Sequence, residues 1–239
     1  MKRIITTLLM AMAVTVSWAQ TIVTSDTLVT SASSNPKFRI SLQGGLSYRL
    51  VAIDKSLGQD LIDYQKKMKI GYNDSAEISY FLPSLPGNCI GLKYTHMKSS
   101  VSAYGTFIME DGTTKDGTLA DNVTILFIGP YYGVSTAVSG NKNIIGLNAG
   151  AGYVGYTDKA CMITPYTLSG WTLGYYLGFQ YDHMITDHIA VGAELSVITG
   201  VVSDINKTES GTTTKLELET GQGEGVVHLD ASVGLRFYL

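Results

Sequence analysis

The chain has 239 residues, 45% apolar and only 15% charged, with a formal net charge of −3. So little charge excludes a polyelectrolyte tail or a disordered acidic segment, and the slight negative balance argues against a nucleic-acid surface. Glycine (26) and tyrosine (15) are abundant and proline (5) is scarce, while the two cysteines form no CxxC pair and are too few for a disulfide framework.

The N-terminus opens with Met1-Lys2-Arg3, continues as an apolar run from Ile4 to Val16, and ends in Ser17-Trp18-Ala19-Gln20. A positive start, a short apolar stretch and small residues at −3 and −1 predict a signal peptide over 1–19, cut after Ala19. The run is short for a membrane-spanning helix, and no cysteine follows it as a lipid anchor. The mature chain would keep 239 − 19 = 220 residues. Residues 20–36 read as a polar periplasmic tail and 37–239 as the folded domain. Past residue 20 no stretch of 18 apolar residues occurs, so an exported chain of this kind is periplasmic, secreted or an outer-membrane barrel. Periodicity decides among them.

Residues 37–50 put Phe38, Ile40, Leu42, Leu46, Tyr48 and Leu50 on one face and Lys37, Arg39, Ser41, Gln43, Ser47 and Arg49 on the other, a period of two that predicts a strand. Weaker alternation predicts strands near 73–82, 89–98, 122–136 and 143–156. The fourth of these eight, 122–136, is apolar on both faces and does not declare its orientation. Residues 170–182 alternate from Trp171 to Tyr181, residues 188–198 set Ile189, Val191, Ala193 and Leu195 against Gly192, Glu194 and Ser196, and the final segment 227–239 alternates from Val227 to Leu239.

The eight strands are joined by connections of 22, 6, 23, 6, 13, 5 and 28 residues on these boundaries. Long and short alternate throughout. The predicted fold is all-β: an eight-stranded antiparallel up-and-down transmembrane β-barrel with long extracellular loops and short periplasmic turns. Threaded so, Phe38, Tyr80, Tyr131, Tyr181 and Phe237 face lipid at the periplasmic border, and Tyr48, Tyr153 and Trp171 at the extracellular one. Aromatic girdles at both interfaces are expected of such barrels.

The C-terminal Gly234-Leu235-Arg236-Phe237-Tyr238-Leu239 resembles the β-signal of outer-membrane proteins. With Phe127-Ile128-Gly129-Pro130-Tyr131-Tyr132 and the stretch from Thr186 to Glu194, it makes residues 37–239 similar to the small outer-membrane β-barrel family of OmpA and OmpX type. The last residue, Leu239, departs from the phenylalanine commoner in such signals. The resemblance implies a Gram-negative outer-membrane location and insertion by the outer-membrane assembly machinery through the last strand, and it implies no single activity.

An eight-stranded interior is only wide enough for side chains to fill, which argues against a general porin. The inward face is expected to carry Arg39, Arg49, Lys93 and Arg236 beside Glu77, Asp182, Glu194 and Asp230, with Gln43 and Gln180 nearby. Balanced charges in a narrow interior should pair, giving a structural polar plug rather than an ion path. The alternative function is a lipid-modifying enzyme of lipid A deacylase or acyltransferase type, which needs a nucleophile beside a base. Histidine spacing along single strands argues against it. His96 is followed by Lys98 on its face, His183 and His188 fall in a turn, and His228 with Asp230 points inward. No catalytic, metal or cofactor site is predicted, and Cys89 and Cys161 are expected to stay apart at opposite ends.

The sequons at Asn73, Asn122 and Asn206 read as incidental, while Asp26-Thr27-Leu28 matches a short bacterial O-glycosylation acceptor at Thr27. The expected role is structural or envelope-related, or surface recognition through the loops. Expected partners are outer-membrane lipids and the assembly machinery, with the chain as a monomer, no nucleic acid, and the surface ligand unspecified.

Overall fold

In the computed structural model the described residues are 36–56, 58–108, 113–138, 142–216 and 223–239, and they fall within one unit, Pro36–Leu239. The expected signal peptide, Thr27 and nearly all of the 20–36 tail lie outside them.

Eight strands close a ring: β1 (Phe38–Arg49), β2 (Ile70–Phe81), β3 (Asn88–Ile108), β4 (Thr114–Val138), β5 (Asn143–Met162), β6 (Thr164–Met184), β7 (Ile189–Thr199) and, last in the chain, β12 (His228–Tyr238). Each pairs antiparallel with its neighbours, and β12 closes the ring by pairing with both β7 and β1. Closure leaves no free edge within the ring, the condition for crossing a bilayer with strands.

Side-chain alternation sets the two surfaces. Along β7, Ala190, Gly192, Glu194, Ser196 and Ile198 are buried while Val191, Ala193 and Leu195 are exposed. The distribution is inverted relative to a water-soluble protein. Arg39 and Arg236 are 0% exposed and Lys93 1%, whereas Leu46 is 68% and Val233 65% exposed. Buried charge and an exposed apolar belt are what a lipid solvent selects.

The ring strands outrun their sequence-based bounds at one end. β3 and β4 stay paired from Asn88↔Val134 up to Ile108↔Thr114, and β5 and β6 up to Met162↔Thr164. The expected loops of 23 and 13 residues are therefore mostly hairpin. Ile163, at φ 69°, makes the tight turn between β5 and β6. The remaining four strands, β8 (Val201–Val202), β9 (Ile205–Glu209), β10 (Thr212–Leu216) and β11 (Glu224–Gly225), lie between β7 and β12. β9 pairs with the upper part of β6 and with β10. The first long connection holds a helix the periodicity did not predict, α1 (Gln59–Met68), with Asp60 in its first turn and Lys66 and Lys67 in its last, each placed to complement the helix dipole.

One orientation is corrected. Tyr131 was expected at the lipid interface, yet it is 4% exposed and faces the interior, while Tyr132 is 45% exposed outside. Cross-strand partners share a face, and β4 is registered so that Gly129 sits opposite inward Lys93 and Tyr131 opposite Gly91. With apolar side chains on both faces, β4 itself gives no polarity by which to orient it. Tyr131 fills the space that Gly91 leaves: a Cβ there would meet the tyrosine ring at 2.6 Å.

Candidate functional site

The interior is filled in two storeys, the first near the end with short turns. Glu77 and Lys93 are direct cross-strand partners on β2 and β3, while Glu194 comes from β7 across the lumen. Lys93 Nζ donates to Glu194 Oε1 at 2.6 Å and lies 3.6 Å from Glu77 Oε2. Arg39 Nη2 donates to Glu77 Oε1 and to the Tyr131 hydroxyl, both at 3.3 Å. Arg236 bonds Asp182 and donates through Nη2 to Gln43 Oε1 at 3.0 Å, and Gln43 passes the link on by donating to Glu194 Oε2 at 2.9 Å. Tyr176 donates to Glu194 Oε1 at 3.1 Å and Tyr238 to Asp182 Oδ2 at 2.5 Å.

Three cations, Arg39, Lys93 and Arg236, thus meet three carboxylates, Glu77, Asp182 and Glu194, with every one of these side chains at most 2% exposed. Neutral stoichiometry matters because an unpaired buried charge is strongly unfavourable.

Other residues expected inside are also buried but bond elsewhere. Gln180 accepts from Asn148 Nδ2 at 3.1 Å. Asp230 accepts from Ser47 and lies 3.5 Å from His228 Nε2. Arg49, at the long-hairpin end, pairs with Glu224 at 2.8 Å. The second storey lies on the long-hairpin side of the ion network. Met97, Val123, Ile125, Phe127, Val154 and Ile198 are at most 1% exposed and pack into one cluster, with the Phe127 ring 5.9 Å from that of Tyr176.

Of the expected interface aromatics, Phe38, Tyr48, Tyr153, Trp171 and Tyr181 are exposed on the outer face, and Tyr80 and Phe237 are half-buried there. Phe38 and Tyr80 contact at 5.2 Å, and Tyr153 stacks on Trp171 at 6.0 Å. The two cysteines are free, Cys89 buried in the interior and Cys161 near the tip of the β5–β6 hairpin.

Beyond the aromatic border the strands β3 to β6 continue as one sheet, extended by β9 and β10 in the order β10-β9-β6-β5-β4-β3. Helix α1 flanks its β3 side: Ser99 Oγ donates to the Met68 carbonyl at 2.7 Å and the Tyr64 hydroxyl to Asp121 Oδ2 at 2.7 Å. At the other side β10, among the described residues, pairs only with β9 and is largely exposed.

In the raised sheet, burial and the nearby Asp121 carboxylate push the Asp158 carboxyl up to about 6. A carboxyl whose folded pKa exceeds its ordinary value favours the folded state at low pH and loses that contribution as pH rises through the folded pKa. Asp158→Asn should therefore raise the unfolding midpoint at pH 8, with the advantage disappearing below about pH 4; paired melts at the two pH values test this.

One further pair has no signature along any single strand. His96 Nδ1 lies 2.9 Å from Asp74 Oδ1, and both side chains face outward. The residues are 22 apart in sequence and meet only through the β2–β3 register, Asp74↔His96. Among the described residues no group of three His, Cys, Asp or Glu is arranged to hold a metal ion.

A ring of eight antiparallel strands with an inverted surface decides the architecture. The chain has the fold of the small outer-membrane β-barrels. No family model matches it, and no curated protein is significantly similar in sequence. Similarity appears among solved structures. A major outer membrane protein from Thermus thermophilus aligns at 12% identity with a TM-score of 0.55, over 86% of this chain and 100% of that one. Neisserial surface protein A aligns at 9% identity and 0.50, over 87% and 100%. The outer membrane protease OmpT from Escherichia coli aligns at 12% identity and 0.46, over 88% and 99%. At these identities the likeness concerns the fold.

Proposed function

We propose that this barrel is a non-enzymatic surface protein of a Gram-negative outer membrane, exported by its N-terminal segment and presenting the raised sheet for recognition outside the cell. The single observation that carries this reading is the sheet itself. β3 to β6 run well past the aromatic border at Tyr153 and Trp171, and β9 and β10 widen them into one platform. The sealed interior supports it from the other side, because two stacked plugs suit a rigid anchor better than a transport path. Loops and strand extensions on a rigid scaffold are where binding surfaces usually sit. Contacts with outer-membrane lipids, insertion by the assembly machinery and a monomeric state belong to the same reading.

The enzymatic alternative, a lipid-modifying barrel, needs a nucleophile hydrogen-bonded to its base. His96 has a carboxylate partner, but among the described residues no hydroxyl is bonded to it.

Shortening the β3–β4 and β5–β6 hairpins to the aromatic border tests the proposal. Heat-modifiable gel migration should persist, because ring closure lies below the cut. Adhesion of expressing cells to an array of matrix proteins and glycosaminoglycans should fall to the level of cells lacking the protein. Equal adhesion by full-length and trimmed proteins would contradict recognition through the sheet.

A further inference from the structure

The outer face carries a depression of about 450 Å³ at the aromatic border, lined in part by Tyr94, His96, Leu126, Tyr153, Gly155 and Trp171. That volume falls in the range of small-molecule sites. Gly155 lines it at the outward position opposite both Leu126 on β4 and Trp171 on β6. With no side chain there, the Tyr153 ring leans toward the bare backbone, so that a Cβ on Gly155 would meet its Cε1 at 3.0 Å. The stacked Tyr153 and Trp171 rings make one wall, with Tyr94 and Leu126 opposite.

The depression straddles the change from apolar to polar surface. On β3 the outward residues run Ile90, Leu92, Tyr94, then His96, Lys98, Ser100; on β5 they run Tyr153, Gly155, then Thr157, Lys159. Thr124, Thr157 and Ser169 line its polar side. His96 stands at the change, and Lys98 and Lys159 stand just beyond it, neither with an ion-pair partner among the described residues.

An Asp–His pair turned toward lipid is costly by itself, since ionised groups on the lipid face are disfavoured with depth. Asp74 occupies the Nδ1 side of the imidazole and, as a carboxylate, only accepts, so Nδ1 carries a proton. The opposite ring nitrogen, Nε2, donates to an anion when the ring is doubly protonated beside Asp74, and with Lys98 and Lys159 nearby the complementary charge is negative.

We propose that this groove is a binding site for one phosphate-bearing, acylated lipid of the outer leaflet. Its acyl chain lies between the Tyr94–Leu126 and Tyr153–Trp171 walls, and its phosphate meets His96 and the two lysines. The aromatic border admits only lipids of that leaflet. The site shares Thr157, Ser169 and Asn206 with the base of the raised sheet, does not depend on what the sheet's tip recognises, and presupposes insertion, which heat-modifiable migration checks independently.

The test is native mass spectrometry of the full chain titrated with diphosphorylated lipid A or its dephosphorylated form. The wild type should hold one lipid A molecule at least about tenfold more tightly than the dephosphorylated lipid. His96→Ala should reduce that preference, replacing His96, Lys98 and Lys159 together by Ala should abolish it, and Gly155→Leu should weaken both lipids by filling the groove. Trp171→Ala, which removes a wall, substitutes for Gly155→Leu if the latter does not insert. Val233→Leu, on the outer face of β12, should change nothing. Equal binding of the two lipids by the wild type, or unchanged binding in the groove variants, would overturn the proposal.

Discussion

Glu194→Ala should be among the most damaging single substitutions in the barrel, costing about 3–5 kcal/mol, the range for removing one partner of a buried ion pair. Glu194 accepts from Lys93, Gln43 and Tyr176 and lies 3.6 Å from Arg236. Its loss turns three cations against three carboxylates into three against two, with Lys93 left to Glu77 at 3.6 Å. Glu194→Gln keeps the shape but not the charge and should fall in between. The neighbouring Leu195 points into lipid at 54% exposure, so Leu195→Ala removes a lipid contact without stranding a charge and should cost far less. Urea unfolding from vesicles compares them. A silent Glu194→Ala, or a more damaging Leu195→Ala, would contradict the paired interior network.

Phe127→Ala should cost a similar amount, about 3–5 kcal/mol, by a different mechanism. Phe127 is 0% exposed and packs beside Tyr176 and the apolar storey. Its neighbours are anchored on four or more ring strands, so the cavity cannot collapse easily. Ile128, the next residue, is 41% exposed on the outer face, and Ile128→Ala should be the milder change in the same unfolding assay. If the two variants unfold alike, Phe127 does not face the interior and the orientation of β4 is wrong.

β4 also shows where the sequence stops being informative. Where polar and apolar residues alternate, as in β1, β7 and β12, period two reveals both the strand and its facing, because each face meets a different solvent. Val123, Ile125, Phe127 and Tyr131 fill the interior while Leu126, Ile128 and Tyr132 meet lipid. With both faces apolar, only cross-strand register orients them, which is why Tyr131 was expected outside. Above the membrane both faces meet water, so the pattern fades into Ser, Thr and Gly, and paired strands such as 99–108 read as loop.

Helix α1 buries only Tyr64 among its residues, too narrow an apolar stripe to stand out within a 22-residue connection. The interior charges were legible as inward because their strands alternate cleanly. The partnerships of Gln43 with Glu194 and of Asp182 with Arg236 were not, since each reaches over one intervening strand to a strand far away in sequence. The Asp74–His96 pair was hidden for the same reason, since neighbouring strands bring together residues that no spacing along the chain links.

The central claim is that this chain crosses a bilayer as a closed barrel with charge inside and apolar side chains outside. Single-cysteine variants along β7, from Ala190 to Ser196 in a background lacking Cys89 and Cys161, labelled with a fluorophore and reconstituted in bilayers containing brominated lipid, test it most directly. Quenching should be strong at positions 191, 193 and 195 and weak at 190 and 196, with Gly192 and Glu194 kept because a side chain at Gly192 would meet Arg236 and Glu194 holds the ion network. Uniform quenching along the strand, or the opposite phase, would contradict the barrel.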